Sequence, residues 1–347
     1  MIAAVTEAVG SMRMRDVAEP GEPGAGQVLV RPTAVGICGS DFHFFEGHLS
    51  EHAGGSGFPR IQGHEVAATV EAVGPGCREG IEAGQTVALF PLTACGHCYP
   101  CRVGRPNVCV NFSLIGIHED GGLQEQLCLP DAQVFPIAVE DPLVAALVEP
   151  VSIAMRAVHR GRIADGEHVV VLGAGPIGQS LLVAAQDRGA KLLLVDPLEV
   201  RLATARALGA DTVAWTSADE VIAYAREWSG ETGPEVVIDA TGVPAAVEAA
   251  VELVTSAGRV VQVGMSGDSV TLRLGSFTEK ELDLLGVACC GTGEFAEAVD
   301  LTERNAGRLA QLVSHEFPLT EAPEALRFAM EHPSDVMKVV IRGAERS

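Results

Sequence analysis

From Gln27 to about Phe135 the apolar positions fall in short runs, "QVLVRPTAVGIC", "EVAATVEAVG" and "QTVALF", cut apart by Gly and Pro. Runs of this length bounded by turn residues predict strands, and their irregular spacing predicts an irregular β domain. Near Pro150 the pattern changes. "EHVVVLGAG" and "KLLLVD" read as buried strands, while "PIGQSLLVAAQDRGA" and "PLEVRLATARALGA" carry a helical period. Strand and helix in alternation predict βαβ units around a parallel sheet. "EVVIDATG" and "GRVVQVGM" extend that sheet by two strands ending in Gly. The closing stretch, with "SHEFPLTEAPEALRFAMEH" and "MKVVIR", mixes helix and strand and is expected to return to the first domain.

A chain of 347 residues is long for one core, so two domains are expected. With 47% hydrophobic and 20% charged residues and no low-complexity tract, it reads as globular. Asp and Glu number 46 against 24 Lys and Arg, a formal charge of −22, with no basic cluster. That balance repels phosphate backbones and anionic lipid, so neither nucleic acid nor membrane is expected as a partner. The first residues, "MIAAVTEAVGSMRMRD", lack the pattern of a secretory signal. No apolar stretch approaches the roughly 18 residues of a spanning helix, since "LVAALVEPVSIAM" is broken by Glu149 and Pro150. A cytoplasmic, reducing location is therefore expected, where nine cysteines serve as thiols or metal ligands more naturally than as bridges.

Cys95, Cys98, Cys101 and Cys109 follow C-x2-C-x2-C-x7-C in "TACGHCYPCRVGRPNVC", with Gly and Pro supplying turns. One loop can wrap four thiolates around Zn2+, and a shell closed by protein is a structural site. An iron–sulfur cluster uses similar spacings, and disulfides are disfavoured by compartment. His97 within the loop reads as an exposed bystander.

"GICGSDFHFFEG" groups Cys38, Ser40, Asp41 and His43, and "GHE" offers His64 and Glu65. Glu149 stands in the apolar run "ALVEPVSIAM" just before the βαβ region. Burying that charge without a partner costs several kcal/mol. From spacing alone these side chains serve equally as packed residues or as ligands. If Cys38, His64 and Glu149 share a cleft between domains, they give three donors and one open position, the arrangement of a catalytic zinc, and Asp41 could accept the other ring proton of His64.

"VVVLGAGPIG" places Gly173, Gly175 and Gly178 as G-x-G-x-x-G directly after a strand, with Pro176 and Ile177 opening a helix. The glycines suit a tight turn, approach of a pyrophosphate, and close helix packing, with phosphate at the helix N-terminus. Asp196 ends "KLLLVD", where a carboxylate accepts from ribose hydroxyls and repels a 2′-phosphate. NAD is expected over NADP, although Arg201 leaves an opening for the latter.

Taken together, "GICGSD", "GHE", the cysteine lobe, "EP" and "GAGPIG" occur in the order found in the zinc-dependent medium-chain alcohol dehydrogenase family, which the chain resembles over essentially its whole length. The resemblance implies an α/β protein: a GroES-like irregular β catalytic domain over 1–149 and 286–347, and a doubly wound Rossmann domain over 150–285. It implies two zinc ions per chain, one structural and one catalytic, NAD as cofactor, and a homotetramer or homodimer. Glu149 marks the polyol, threonine and sugar-acid branch, and binds zinc directly or through water, with Glu65 replacing a ligand transiently. By the same resemblance Ser40 passes a proton through the cofactor ribose to His43, and Thr241, Gly242, Val263 and Gly264 line the nicotinamide. The implied reaction is oxidation of a secondary alcohol in a polyol, sugar or sugar acid. Where sorbitol dehydrogenases carry a substrate-contacting Arg, this chain reads Ala288, Cys289, Cys290, which puts sorbitol itself in doubt and keeps a primary alcohol or aldehyde as the alternative. His118 belongs to a segment shared with polyol-type members, where it faces either substrate or solvent.

Overall fold

A computed structural model describes residues 1–49, 57–230 and 232–344. The chain divides into two compact units, one of residues 1–149 with 291 onward, the other Pro150–Cys290.

The first unit is built on a seven-stranded sheet. Its order is Val134–Pro136, Thr86–Leu89, Glu65–Val73, Gln27–Gly36, Lys338–Arg342 and Val313–Pro318, with Leu127–Pro130 also pairing Gln27–Gly36. Along Gln27–Gly36 the buried positions alternate at Val28, Val30, Pro32 and Ala34, as a strand with one covered face requires. Its register against Glu65–Val73 shifts between Pro32 and Ala34, beside a residue that has no N–H to give the ladder. Val28, Val30, Val66, Val70, Val87 and Leu89 form the core beneath it. The late strand Lys338–Arg342 runs antiparallel to Gln27–Gly36, with Val340 opposite Gly36. Gly36 in turn lies opposite Glu65. Segments far apart in sequence thereby bring Glu65 and Lys338 to the two sides of one glycine.

The second unit holds a six-stranded sheet in the order Asp211–Ala214, Lys191–Asp196, His168–Leu172, Val236–Asp239, Arg259–Gln262, Asp283–Gly286. Every adjacent pair is parallel. This is the order 3-2-1-4-5-6 of the doubly wound dinucleotide-binding sheet. Val169, Val170 and Val171 are fully buried, so the continuous apolar run reflects a strand covered on both faces. Register sets Leu172 beside Asp239 and Asp239 beside Gln262. The strand ends therefore line up where the order reverses, the place at which open α/β sheets receive ligands.

The helical segment Pro142–Gly161 corrects the reading of "LVAALVEPVSIAM". Its 20 residues, with a mean hydropathy of 1.3 in the best window, are long and apolar enough to span a bilayer. Yet 78% of that window is buried inside the protein, as befits a core helix.

Candidate metal centres and dinucleotide turn

The cysteine lobe is a loop held between the short paired strands Leu92–Thr93 and Ser113–Leu114. Cys98 caps the helix Tyr99–Arg102, and Cys109 follows the turn Pro106–Val108. One sulfur from each of Cys95, Cys98, Cys101 and Cys109 lies within 4.8 Å of the other three. The Cys98–Cys101, Cys95–Cys109 and Cys98–Cys109 separations are 3.4, 3.4 and 3.7 Å. A tetrahedron with Zn–S bonds of 2.3 Å has edges of about 3.8 Å, whereas a disulfide needs about 2.05 Å. None of the nine cysteines is in a disulfide. Backbone N–H groups of Cys95 and Asn111 donate to Cys109 Sγ at 3.2 and 3.3 Å, the environment of a thiolate. Backbone N–H groups at His97 and Cys98 hold the Cys95 thiol down to about 5, while desolvation and the adjoining sulfurs push Cys101 up to about 12. Four crowded thiols without a cation cannot all ionise, and a divalent ion at their centre removes the conflict. His97 is exposed, its Nδ1 2.8 Å from the Cys95 carbonyl. Replacing Cys98 by Ser should release about one zinc per chain and lower the thermal midpoint; metal analysis showing no loss would refute a zinc role for this loop.

The second donor group also lies in the first unit. Cys38 caps the helix Gly39–Phe45, His64 precedes the strand Glu65–Val73, and Glu65 opens that strand. One ligand atom from each of the three lies within 4.8 Å of the other two, and His64 and Glu65 are buried. Ser40 Oγ is 3.4 Å from His64 Nε2. Gly36 makes room: a Cβ there would sit 2.0 Å from Glu65 Oε2. Lys338 Nζ donates to Glu65 Oε1 at 2.6 Å and to the Ile37 carbonyl at 2.9 Å, and also pairs with Oε2.

Glu149, in the first turn of the helix Val148–Gly161, is buried and faces this group without joining its close circle. Burial raises its carboxyl to about 7, against the lowering pull of His64 and with the added repulsion of Glu65. Asp41 departs from its expected part. Its Oδ1 is 3.8 Å from His64 Nδ1, beyond hydrogen-bonding reach, and accepts instead from Gln62 Nε2 at 3.2 Å. Its Oδ2 accepts from the Cys38 N–H at 2.9 Å. Asp41 therefore fixes the Cys38 turn, and His64 Nδ1 is left buried with no hydrogen-bond partner.

Burial alone would lower the His64 pKa, but Asp41, a hydrogen bond to Cys38, and the charges of Cys38 and Glu149 hold it well above its ordinary value. Cys38, Asp41, Glu65 and Glu149 thus surround His64 and Lys338 with potential negative charge. A divalent cation among Cys38, His64 and Glu65 would take the place of the imidazole proton, and a soft sulfur with a nitrogen and an oxygen is a donor set suited to zinc. Ser40 is half-buried and His43 is exposed at the outer end of the same helix. His118 Nδ1 accepts from the Leu114 N–H at 3.1 Å, and its ring stands edge-on to Phe112 at 5.1 Å. That imidazole is fixed within its own turn.

In the second unit Gly173 has φ +98°, and a Cβ on Gly178 would lie 2.0 Å from the Gly173 carbonyl. The fold itself requires these two glycines. Gly175, the N-cap of the helix Pro176–Asp187, is different. Only Arg201 Nη1, at 3.8 Å, would approach its Cβ, so the space beside it is open to a ligand, next to amides that no side chain caps. Pro176 and Ile177 begin the helix. Asp196 is buried at its strand end, accepting from the N–H groups of Ala174 and Leu198 at 2.8 and 2.9 Å, with Arg201 Nη1 3.5 Å away.

The later strand ends are tied by Asp239, which the sequence reading passed over. Its carboxylate accepts from Thr241 N and Oγ1 at 3.1 and 2.6 Å and from Gly242 N at 2.8 Å. Its carbonyl accepts from Val263 N and Gly264 N, both at 2.9 Å. A Cβ on Gly264 would be 2.1 Å from Gly242 N, so the two turns are in contact. Gln179 likewise binds the glycine turn, donating to the Ala174 and Arg201 carbonyls at 2.9 Å each. Lys338 was missed as well. Its signal was a lone cation opening the apolar run "KVVI", the same anomaly that drew attention to Glu149.

Cys290 is buried with Sγ 3.0 Å from Ser152 Oγ, and Cys289 has φ +45°.

A four-thiol loop, a close Cys–His–Glu group and a strand–glycine–helix turn on a 3-2-1-4-5-6 sheet define a metal-dependent, dinucleotide-linked oxidoreductase. Residues 24–139 match the alcohol dehydrogenase GroES-like domain and residues 176–304 the zinc-binding dehydrogenase domain. The chain belongs to the zinc-dependent alcohol dehydrogenase family. It is 33% identical over 322 residues to the L-galactonate-5-dehydrogenase of Escherichia coli K12, with 92% of each chain covered. Two solved structures are similar throughout. One, a zinc-binding dehydrogenase of Sinorhizobium meliloti bound to NADP, has a TM-score of 0.88 and 31% identity, with 98% of both chains covered. The other, an alcohol dehydrogenase of Escherichia coli CFT073 complexed with NADH, has a TM-score of 0.86 and 29% identity over 99% of both.

Proposed function

We propose that the protein reversibly oxidises a secondary alcohol of a sugar acid or polyol, with NAD+ as the acceptor. The observation that carries this reading is the Cys38–His64–Glu65 group, whose unpartnered imidazole nitrogen and surplus negative charge suit a cation. The likeness to L-galactonate-5-dehydrogenase supports the substrate class.

Cys38, His64 and Glu65 hold zinc, with Glu149 completing the site directly or through water, and the four lobe cysteines hold a second ion. The first ion would polarise the alcohol oxygen and lower its pKa. NAD+ would take up the hydride. Lys338 holds the Glu65 carboxylate, and Asp41 pins the Cys38 turn through its N–H. Ser40 Oγ, beside His64 Nε2, would accept the alcohol proton while giving up its own, which would pass by way of the bound cofactor's ribose to His43, exposed on the same helix, and from there to water. Gly173, Gly175 and Gly178 cradle the pyrophosphate at the helix start. Asp196 takes the adenosine ribose, and its carboxylate beside Arg201 sets the preference for NAD over NADP. Thr241, Gly242, Val263 and Gly264 line the nicotinamide. The strand Asp283–Gly286 ends its sheet with Leu284 46% exposed, and such an apolar edge supports self-pairing into a dimer or tetramer.

The test is turnover of the zinc-loaded enzyme on aldonic acids, polyols and primary alcohols, with NAD+ and NADP+ in parallel, followed by reduced-nicotinamide absorbance. Activity confined to primary alcohols would overturn the substrate class. In the same assay Gly175→Val should raise the KM for NAD+ at least tenfold, equal to about 1.4 kcal/mol, and leave the fold intact. An unchanged KM would remove the phosphate from this turn.

A further inference from the structure

The outer end of the helix Gly39–Phe45 carries donors that the catalytic reading does not use as ligands. His43 lies in its last turn, Glu46 is its C-cap, and His48 follows Gly47. The backbone closes tightly here. Glu46 N–H donates to Phe42 O at 2.9 Å, Gly47 N–H to Phe44 O at 3.0 Å and His48 N–H to His43 O at 2.8 Å. Gly47 has φ +73°, and a Cβ there would come within 2.8 Å of Val9 Cγ2. Buried Phe44 and Phe45 anchor the helix from below, and the Phe45 carbonyl accepts from Gly10 N–H at 2.8 Å. The turn is therefore fixed by backbone bonds and packing, independently of its three polar side chains.

Those side chains converge. One ligand atom from each of His43, Glu46 and His48 lies within 4.8 Å of the other two, and His48 Nδ1 is 3.3 Å from Glu46 Oε2. An ion pair between Glu46 and His48 alone would not draw in the second imidazole. The side chains of His48 and Glu46 are 68% and 42% exposed, so an arriving ion keeps water on its open side and pays little desolvation.

We propose that His43, Glu46 and His48 form a third metal site, which takes up Zn2+, or a divalent first-row ion of similar preference, reversibly from solution. Two imidazole nitrogens and a carboxylate are donors to which zinc, copper and nickel bind ahead of magnesium or calcium. Among the described residues no thiolate contributes and no buried partner orients the imidazoles, so this ion is held more weakly than those of the two cysteine-containing groups. The site has a consequence that rests on the proton-delivery role proposed above for His43: an ion fixed to that imidazole blocks it, and excess zinc slows turnover.

The experiment is equilibrium dialysis of the zinc-replete enzyme against ZnCl2 near neutral pH, with metal counted per chain. Wild type should take up one equivalent beyond the tightly held zinc. His48→Ala and Glu46→Gln should each bind that equivalent at least tenfold more weakly, with unchanged circular dichroism and unchanged tight zinc. No additional equivalent in wild type, or equal uptake by both variants, overturns the site. In parallel, added Zn2+ should slow wild type and spare His48→Ala. Inhibition persisting in a variant that no longer binds the ion overturns the regulatory consequence. Turnover measured without added zinc reports on the dehydrogenase reading separately.

Discussion

His64→Ala is expected to lower NAD-linked turnover by at least about 10³-fold, equivalent to about 4 kcal/mol of lost transition-state stabilisation. His64 is one of three donors whose ligand atoms lie within 4.8 Å, and alanine removes the only nitrogen among them, leaving the Cys38 thiol and carboxylates to hold the ion weakly. Metal analysis should find about one zinc per chain fewer. Cys38→Ala should behave alike, whereas loss of the lobe thiol at Cys98 should act first on stability. Turnover within tenfold of wild type in both His64→Ala and Cys38→Ala would defeat the catalytic assignment.

The second large effect is on folding. Lys338→Met removes the cation that pairs with both oxygens of Glu65, in a place where the two side chains are 3% and 1% exposed. Breaking a buried pair by deleting one partner costs about 3–5 kcal/mol, since the other charge stays behind uncompensated. Removing both charges costs far less. Denaturant unfolding of the zinc-free protein, in which no metal offsets Glu65, followed by circular dichroism, should therefore show Lys338→Met strongly destabilised, and Lys338→Met with Glu65→Gln recovering most of the loss. A single variant as stable as wild type would mean that Glu65 does not depend on Lys338.

The parts legible in the sequence were those with local signatures. "VVVLGAGPIG" announces a strand, a tight turn and a helix within ten letters, and the four lobe cysteines lie close enough for one loop to gather them. Glu149 was noticed because a carboxylate in an apolar run is costly. What escaped depended on register between distant strands. Nothing near Glu65 in sequence names Lys338 as its partner; the pairing of Lys338–Arg342 with Gln27–Gly36 does that. Asp41 was assigned to His64 because the two residue types commonly meet, but competition from Gln62 and the Cys38 N–H decided its geometry. Asp239 ends an apolar strand just as Asp196 does, and only the adjoining turns reveal how much backbone its carboxylate gathers.

The strand Lys338–Arg342 also dictates an order of assembly during synthesis. The second unit is one continuous stretch, Pro150–Cys290, and can close on itself while the ribosome is still translating the tail. The first unit cannot complete its central ladder until Lys338–Arg342 has been made. Until then the Ala34–Gly36 end of the strand Gln27–Gly36 lacks its partner and Glu65 lacks the Lys338 cation, so the nascent chain carries a finished nucleotide-binding half beside an unfinished sheet that is open to mispairing and to chaperones.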